Sequence, residues 1–192
     1  MDIEDAWRRK YRIELETARF LLRPLIITDA DWLARLFVDP DVNRFLWDGP
    51  SAPEHARRTA EAVVSQDLMR SQFGYWAIQD KLTGGIHGWT ELSKLRPWSA
   101  PSDEIAISYV LGPASWGRGI ATEAAARLLR HAFEVQQLGR VMAVIMTANI
   151  ASKRVLEKLG MRLVHNAESG GGKNLEYFSI DAPRPAVGPG SA

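Results

Sequence analysis

A mixed α/β domain built on one sheet is the fold class this sequence predicts, and three patterns carry the prediction. Short apolar runs, alternating or continuous, recur along the chain and read as strands. Amphipathic stretches at helical spacing fall between them. In the second half, strand, helix and strand alternate, which sets helices against a shared sheet.

The elements follow in order. Residues 12–25 alternate and hold Ile13, Leu15, Phe20, Leu22 and Leu25, which predicts one or two strand segments. Thr28 or Asp29 then caps a helix whose Trp32, Leu33, Leu36 and Phe37 share a face, ended by Asp39-Pro40-Asp41. After a loop with Phe45, Leu46 and Trp47, Pro53 opens a second helix with Ala60, Val63, Val64 and Leu68 inward. Residues 75–79 and 85–92 read as two strands around the turn 80–84. A loop with two prolines and Trp98 leads to the strand Ile105–Leu111, and residues 121–133 form a helix with an alanine-rich buried stripe. The continuous apolar run 141–146 predicts a strand buried on both faces. Asn149 caps a short helix that Gly160 stops, and 161–164 with 175–180 make a last strand pair. Residues 1–182 are expected to be one domain with an N-terminal extension over 1–11. Residues 183–192, rich in Pro, Gly and Ala, are expected to be a disordered tail.

Composition narrows the function classes. The 192 residues carry 24 basic and 23 acidic side chains, so no global field draws the chain to nucleic acid. No cysteine is present, which excludes disulfides, thiolate metal sites and cysteine nucleophiles. The four histidines lack metal-ligand spacing, so no metal site is expected. No apolar run approaches the ~20 residues that span a bilayer, and the charged start Met1-Asp2-Ile3-Glu4-Asp5 is wrong for a signal peptide. The expectation is a cytoplasmic protein with no membrane or nucleic-acid partner.

The richest segment is Ser115-Trp116-Gly117-Arg118-Gly119-Ile120-Ala121-Thr122-Glu123, between a strand and a helix. Two glycines permit a sharp turn and close approach of a ligand, and the helix start presents unpaired N–H groups and a positive dipole end. Together they form a candidate pyrophosphate cradle. A Walker A loop would need Lys followed by Ser or Thr after its second glycine, and Gly117 is followed by Arg118-Gly119. A dinucleotide fingerprint would need Gly or Ala at position 122, which is Thr122, and an acidic residue that 141–147 does not supply. What remains is Gly-x-Gly-x-Ala after a tryptophan.

That spelling resembles the acetyl-CoA pyrophosphate loop of the GNAT superfamily of N-acetyltransferases. A second block, Asn149 to Met161, is similar to the superfamily's other cofactor motif, as its ribosomal-protein (RimJ/RimL-like) branch spells it: Asn149, Ser152, Lys158 and Gly160. A third, Glu16-Thr17-Ala18-Arg19-Phe20-Leu21-Leu22-Arg23-Pro24, is similar to the first strand of that branch. Each block alone is unspecific, but their order and separation across residues 13–181 are specific. The resemblance implies a mostly antiparallel, twisted mixed sheet, splayed at its centre and flanked by helices.

The resemblance also implies a site. The pantetheine arm of acetyl-CoA (coenzyme A) pairs with an exposed strand edge, here Ser108, Tyr109, Val110 and Leu111, and the pyrophosphate lies on Trp116, Gly117, Arg118, Gly119, Ile120, Ala121 and Thr122. Asn149 bonds the arm, and Ser152 sits near the sulfur. The acceptor is an amine, on a protein N-terminus or a small molecule, that attacks the thioester directly while a backbone N–H near Val110 steadies the oxygen. Glu104 is the first candidate base, two residues before Ala106, where many relatives carry Glu; Glu91 is the second. Ser152 or Tyr109 would protonate the leaving thiolate. Ala114 replaces the usual Gln or Arg, removing a side-chain contact but not the backbone cradle. Trp47 and Trp98 are candidates to shape the acceptor cleft, cover it or form a homodimer contact. The alternative is a non-catalytic acyl-CoA-binding module of the same fold.

Overall fold

The computed structural model describes residues 13–46, 52–67, 73–95 and 103–183. Among these residues eight strands form one sheet: β1 (Leu15–Glu16), β2 (Phe20–Pro24), β3 (Tyr75–Asp80), β4 (Ile86–Lys94), β5 (Ile105–Leu111), β6 (Arg140–Met146), β7 (Arg162–Glu168) and β8 (Asn174–Asp181). Their order across the sheet is β1-β2-β3-β4-β5-β6-β8-β7. Every neighbouring pair is antiparallel except β5 and β6, which run parallel. The helices are α1 (Ala30–Val38), α2 (Pro40–Asn43), α3 (Pro53–Asp67), α4 (Ile120–Glu134) and α5 (Ile150–Lys158).

Each sheet face buries its own set of apolar side chains. On one, α4 lays its stripe of Ala121, Ala124, Ala125, Leu128 and Ala132 over Leu22, Ile78, Leu92, Ile107 and Val141, with Leu156 of α5 beside them. On the other, Leu33, Leu36 and Phe37 of α1 and Ala56, Ala60 and Val64 of α3 cover Tyr75, Ala77 and Trp89. Beyond β5 that second face continues as a smaller cluster of Leu95, Ala106, Met142, Leu175 and Tyr177. Both faces of β6 are therefore lined by apolar neighbours, as its continuous apolar run predicts.

Three local expectations need correction. Asp29 stands at the N-cap of α1 but makes no side-chain cap there. Its carboxylate closes a preceding 3-10 turn, Ile27–Asp29, by accepting the Ile26 N–H at 2.8 Å, and takes a bidentate fork from Arg23 at 2.8 and 2.9 Å. Asp39 does not only end α1: its side chain accepts the N–H groups of Asp41 and Val42 and so starts α2. Strand β7 runs to Glu168, longer than the 161–164 expected, because it pairs with β8 up to Glu168 opposite Asn174. Trp47, Leu68, Trp98, the extension 1–11 and nearly all of the tail lie outside the described residues.

Candidate active site

The site is built on the β5/β6 seam. Strand β5 pairs with β4 along its whole length, from Ile105 opposite Lys94 to Leu111 opposite Gly88. Strand β6 pairs as fully with β8, from Arg140 opposite Asp181 to Met146 opposite Leu175. Between them β5 and β6 pair at one position, Ala106 opposite Met142. Beyond it the two strands part.

Which backbone groups the opening leaves bare follows from the β4 ladder. At its ends the N–H of Leu95 donates to Glu104 at 2.7 Å and the N–H of Gly112 to His87 at 3.0 Å. With an unbroken register between them, Ala106, Ser108 and Val110 direct N–H and C=O toward β4, while Ile107, Tyr109 and Leu111 direct theirs toward β6. The Thr90 hydroxyl accordingly donates to the Ser108 carbonyl on the β4 side at 2.9 Å. The amide of Val110 therefore belongs to the ladder, and the donors facing the gap are Tyr109 and Leu111. Trp116 ends this track, since its indole Nε1–H donates to the Leu111 carbonyl at 2.9 Å.

The chain then passes a 3-10 turn, Pro113–Ser115, into the glycine turn. Gly117 and Gly119 have φ of 71° and 73°, in the left-handed region where a side chain is strained. A Cβ on Gly117 would meet nothing within 4 Å, so there is open space beside the turn at that position. Among the described residues, the N–H groups of Gly117 to Thr122 donate to no backbone carbonyl. The first that does is Glu123, to Gly119 at 3.1 Å. Ile120 and Ala121 anchor this end of α4 in the core, Thr122 is half-buried, and Arg118 is exposed.

Across the gap stands α5. Asn149 caps it by accepting the Ser152 N–H at 3.1 Å, which leaves the Nδ2 donors of Asn149 outside the cap. Tyr109 reaches over from β5, and its hydroxyl donates to the Ser152 carbonyl at 3.2 Å, so two of the expected site residues meet. Burial pushes the Tyr109 phenol above its ordinary pKa, and the bond to Ser152 only partly offsets this. It is a fixed hydrogen-bond donor, harder to deprotonate than a free tyrosine. Lys153 donates to Glu176 of β8 at 2.9 Å, tying α5 to the far half of the sheet.

The carboxylates divide along the seam. Glu91 lies directly opposite Ser108, where the strands have parted, and accepts the Ser93 hydroxyl at 3.2 Å. Glu104 precedes β5 on the closed side of the Ala106 pairing. Its neighbour there is Arg140, whose pKa is raised first by its bond to Asp181 and in part by Glu104.

Two features escaped the sequence. Arg19 donates through Nε to Glu123 Oε2 at 2.7 Å and through Nη1 and Nη2 to the Arg118 carbonyl, each at 3.2 Å. Its own N–H donates to Glu123 Oε1 at 3.0 Å. Arg19 stood inside one of the recognised blocks, but 104 positions separate it from Glu123 and no local pattern joins them. His87 lies 2.9 Å from the Ser115 hydroxyl and 3.3 Å from Asp80, linking the β3–β4 turn to the segment before the glycine turn. The backbone N–H of Thr83, then the His87 side chain, hold the Asp80 carboxyl at a pKa of about 2.

The family described as acetyltransferase (GNAT) domain matches residues 19–162. The chain is 27% identical over 178 residues to the FsC-acetyl coenzyme A-N(2)-transacetylase of Aspergillus fumigatus, covering 90% of this chain and 71% of that protein. It is 33% identical over 154 residues to YkkB of Bacillus subtilis, covering 78% and 86%. Among solved structures, a GNAT-family acetyltransferase from Bacillus anthracis superposes with a TM-score of 0.74 at 22% identity, over 88% of this chain and 98% of that one. RimJ of Mycobacterium smegmatis, in complex with CoA-disulfide, gives 0.74 at 19% identity over 90% and 89%. The chain belongs to the GNAT acetyltransferase family, and with it to the N-acetyltransferases.

Proposed function

We propose that this enzyme transfers the acetyl group of acetyl-CoA to a primary amine, on a protein N-terminus or a small molecule, by direct attack in a ternary complex. The observation that carries the reading is the single-position pairing of β5 with β6, whose bare β5 edge runs on into the glycine turn. A pantetheine arm is long, thin and amide-bearing, and it matches an unpaired strand edge. The open space beside Gly117 suits a pyrophosphate, and successive N–H groups at the start of a 15-residue helix suit its charge. The coenzyme A in the RimJ neighbour and the acetyl-CoA in the Aspergillus relative's name support the donor. The Glu16–Pro24 block supports the RimJ/RimL-like branch.

Bound acetyl-CoA would supply a thioester carbon open to attack. The chain's own groups then divide the work. The N–H of Tyr109 or Leu111 faces the thioester oxygen and stabilises the charge that develops there. Asn149 holds the arm through its Nδ2 donors. Ser152 and Tyr109 border the sulfur; the Ser152 hydroxyl relays a proton from solvent to the departing thiolate, while Tyr109 keeps its proton on the Ser152 carbonyl.

Glu91 ranks ahead of Glu104 as the base that takes the amine proton. Directly opposed residues of an antiparallel pair have Cα atoms about 5.5 Å apart and share a face, so Glu91 stands one strand from the opening, beside Ser108. Glu104 is four residues behind Ser108, about 13 Å along the strand. Thiol release from acetyl-CoA over a panel of amines tests the activity. Glu91→Gln should lower kcat by about 100-fold near neutral pH and steepen its rise with pH, while Glu104→Gln should leave both nearly unchanged. Tight CoA binding with turnover on no amine would instead favour an acyl-CoA-binding module.

A further inference from the structure

We infer that Arg19 is a positioning residue for donor binding: its fork on the Arg118 carbonyl sets the peptide unit whose N–H, that of Gly119, faces the pyrophosphate. The inference rests on the acetyl-CoA reading above and assigns a role to a residue outside both glycine-turn and helix-cap motifs.

The geometry is that of one peptide plane. No peptide bond among the described residues is cis, so the C=O of Arg118 and the N–H of Gly119 point in opposite directions. Both terminal nitrogens of Arg19 hold that carbonyl, at 3.2 Å each, on the β1–β2 side of the turn. The Gly119 N–H is thereby directed away from Arg19. The plane between Arg118 and Gly119 turns through ψ of Arg118 and φ of Gly119, and Gly119, at φ 73°, carries no Cβ to oppose that change. The turn's own backbone does not fix the plane; a partner from elsewhere in the chain does.

Arg19 is itself held. Its Nε and its backbone N–H grip the two oxygens of Glu123, in the first turn of α4. Burial would raise the Glu123 carboxyl, but hydrogen bonds from Thr17 and Arg19 outweigh it and keep the pKa below the usual range. Glu123 also offsets the guanidinium charge, so Arg19 acts through geometry rather than as a free cation. The Arg19 side chain is 47% exposed, and an ion pair so exposed contributes little to folding. Its worth lies in the orientation of the turn.

A donor without a pyrophosphate separates this role from a structural one. S-Acetylpantetheine keeps the thioester and the arm and lacks the pyrophosphate and nucleotide. With the best amine from the panel, Arg19→Ala should lower kcat/KM for acetyl-CoA about 10- to 100-fold, chiefly through KM, the loss of one charge-assisted hydrogen bond. For S-acetylpantetheine the same variant should stay within about twofold of wild type. Comparing two donors on one protein sample cancels any change in the folded fraction. Arg19→Lys keeps the charge without the fork and should recover little of the loss. Equal losses on both donors, no loss on either, or full recovery by lysine would each overturn the inference while leaving the acetyl-CoA reading intact. Should no amine serve, calorimetric affinity for CoA carries the test: an unchanged Kd in Arg19→Ala overturns the inference. Failure of wild type to bind CoA at all would overturn the reading beneath it.

Discussion

His131 shows how one residue ties stability to pH. It lies on α4 at 2% exposure, with its ring edge-on to Trp76 at 6.3 Å and Nε2 3.2 Å from the Gln136 amide. Burial lowers its pKa from the ordinary value of 6.5, and the nearby Arg127 charge lowers it further. Its neutral form is thus the one the folded state favours, while the unfolded chain takes up a proton near pH 6.5. The resulting stabilisation is complete above that pH and drains away as the pH falls toward the lower, folded value. Melting temperature should therefore drop between pH 7 and pH 5, and the drop should be shallower in His131→Phe. Parallel curves for the two proteins would remove His131 from the account.

At the scale of elements, the join between β2 and α1 rests on a buried ion pair. Arg23 and Asp29 are 16% and 4% exposed, and the carboxylate also holds the Ile26 N–H. Arg23→Leu would strand the Asp29 charge, at a cost of about 3–5 kcal/mol in urea unfolding. Adding Asp29→Ala should restore part of that loss, and no recovery would mean the packing of Arg23 matters more than its charge. The pair also marks where sequence reading stops. Strand β5 and the Asn149 cap were legible because their signals are local: an apolar run, or an Asn directly ahead of a helix. The real function of Asp29 was not, since an aspartate before a helix reads as its cap until Arg23 is known to face it. Arg19 and Glu123 were hidden for the same reason. The glycine turn was legible as a cradle; the group that orients its peptide plane comes from the other end of the chain.

On the scale of the whole molecule, the sheet is two halves, β1–β5 and β6–β8, closed upon each other at Ala106 and Met142 and bridged on one face by the core beneath α4 and α5. Antiparallel ladders run the full length of β5 and β6 on their outer sides, so the opening costs each strand only one row of hydrogen bonds. That row is what an extended ligand can replace. Backbone exchange should therefore alternate along β5 in the free protein. The amides of Ser108 and Val110, bonded to β4, should be protected, and those of Tyr109 and Leu111 should exchange quickly. Saturating CoA should slow the second pair and leave the first almost unchanged. At 100 times its Kd, CoA should also add about 2.7 kcal/mol to stability, or roughly 5–11 °C in Tm for a chain of this size. If Tyr109 is already as slow as Val110 without ligand, the strands are closed in solution, and the acetyl donor must bind somewhere other than this seam.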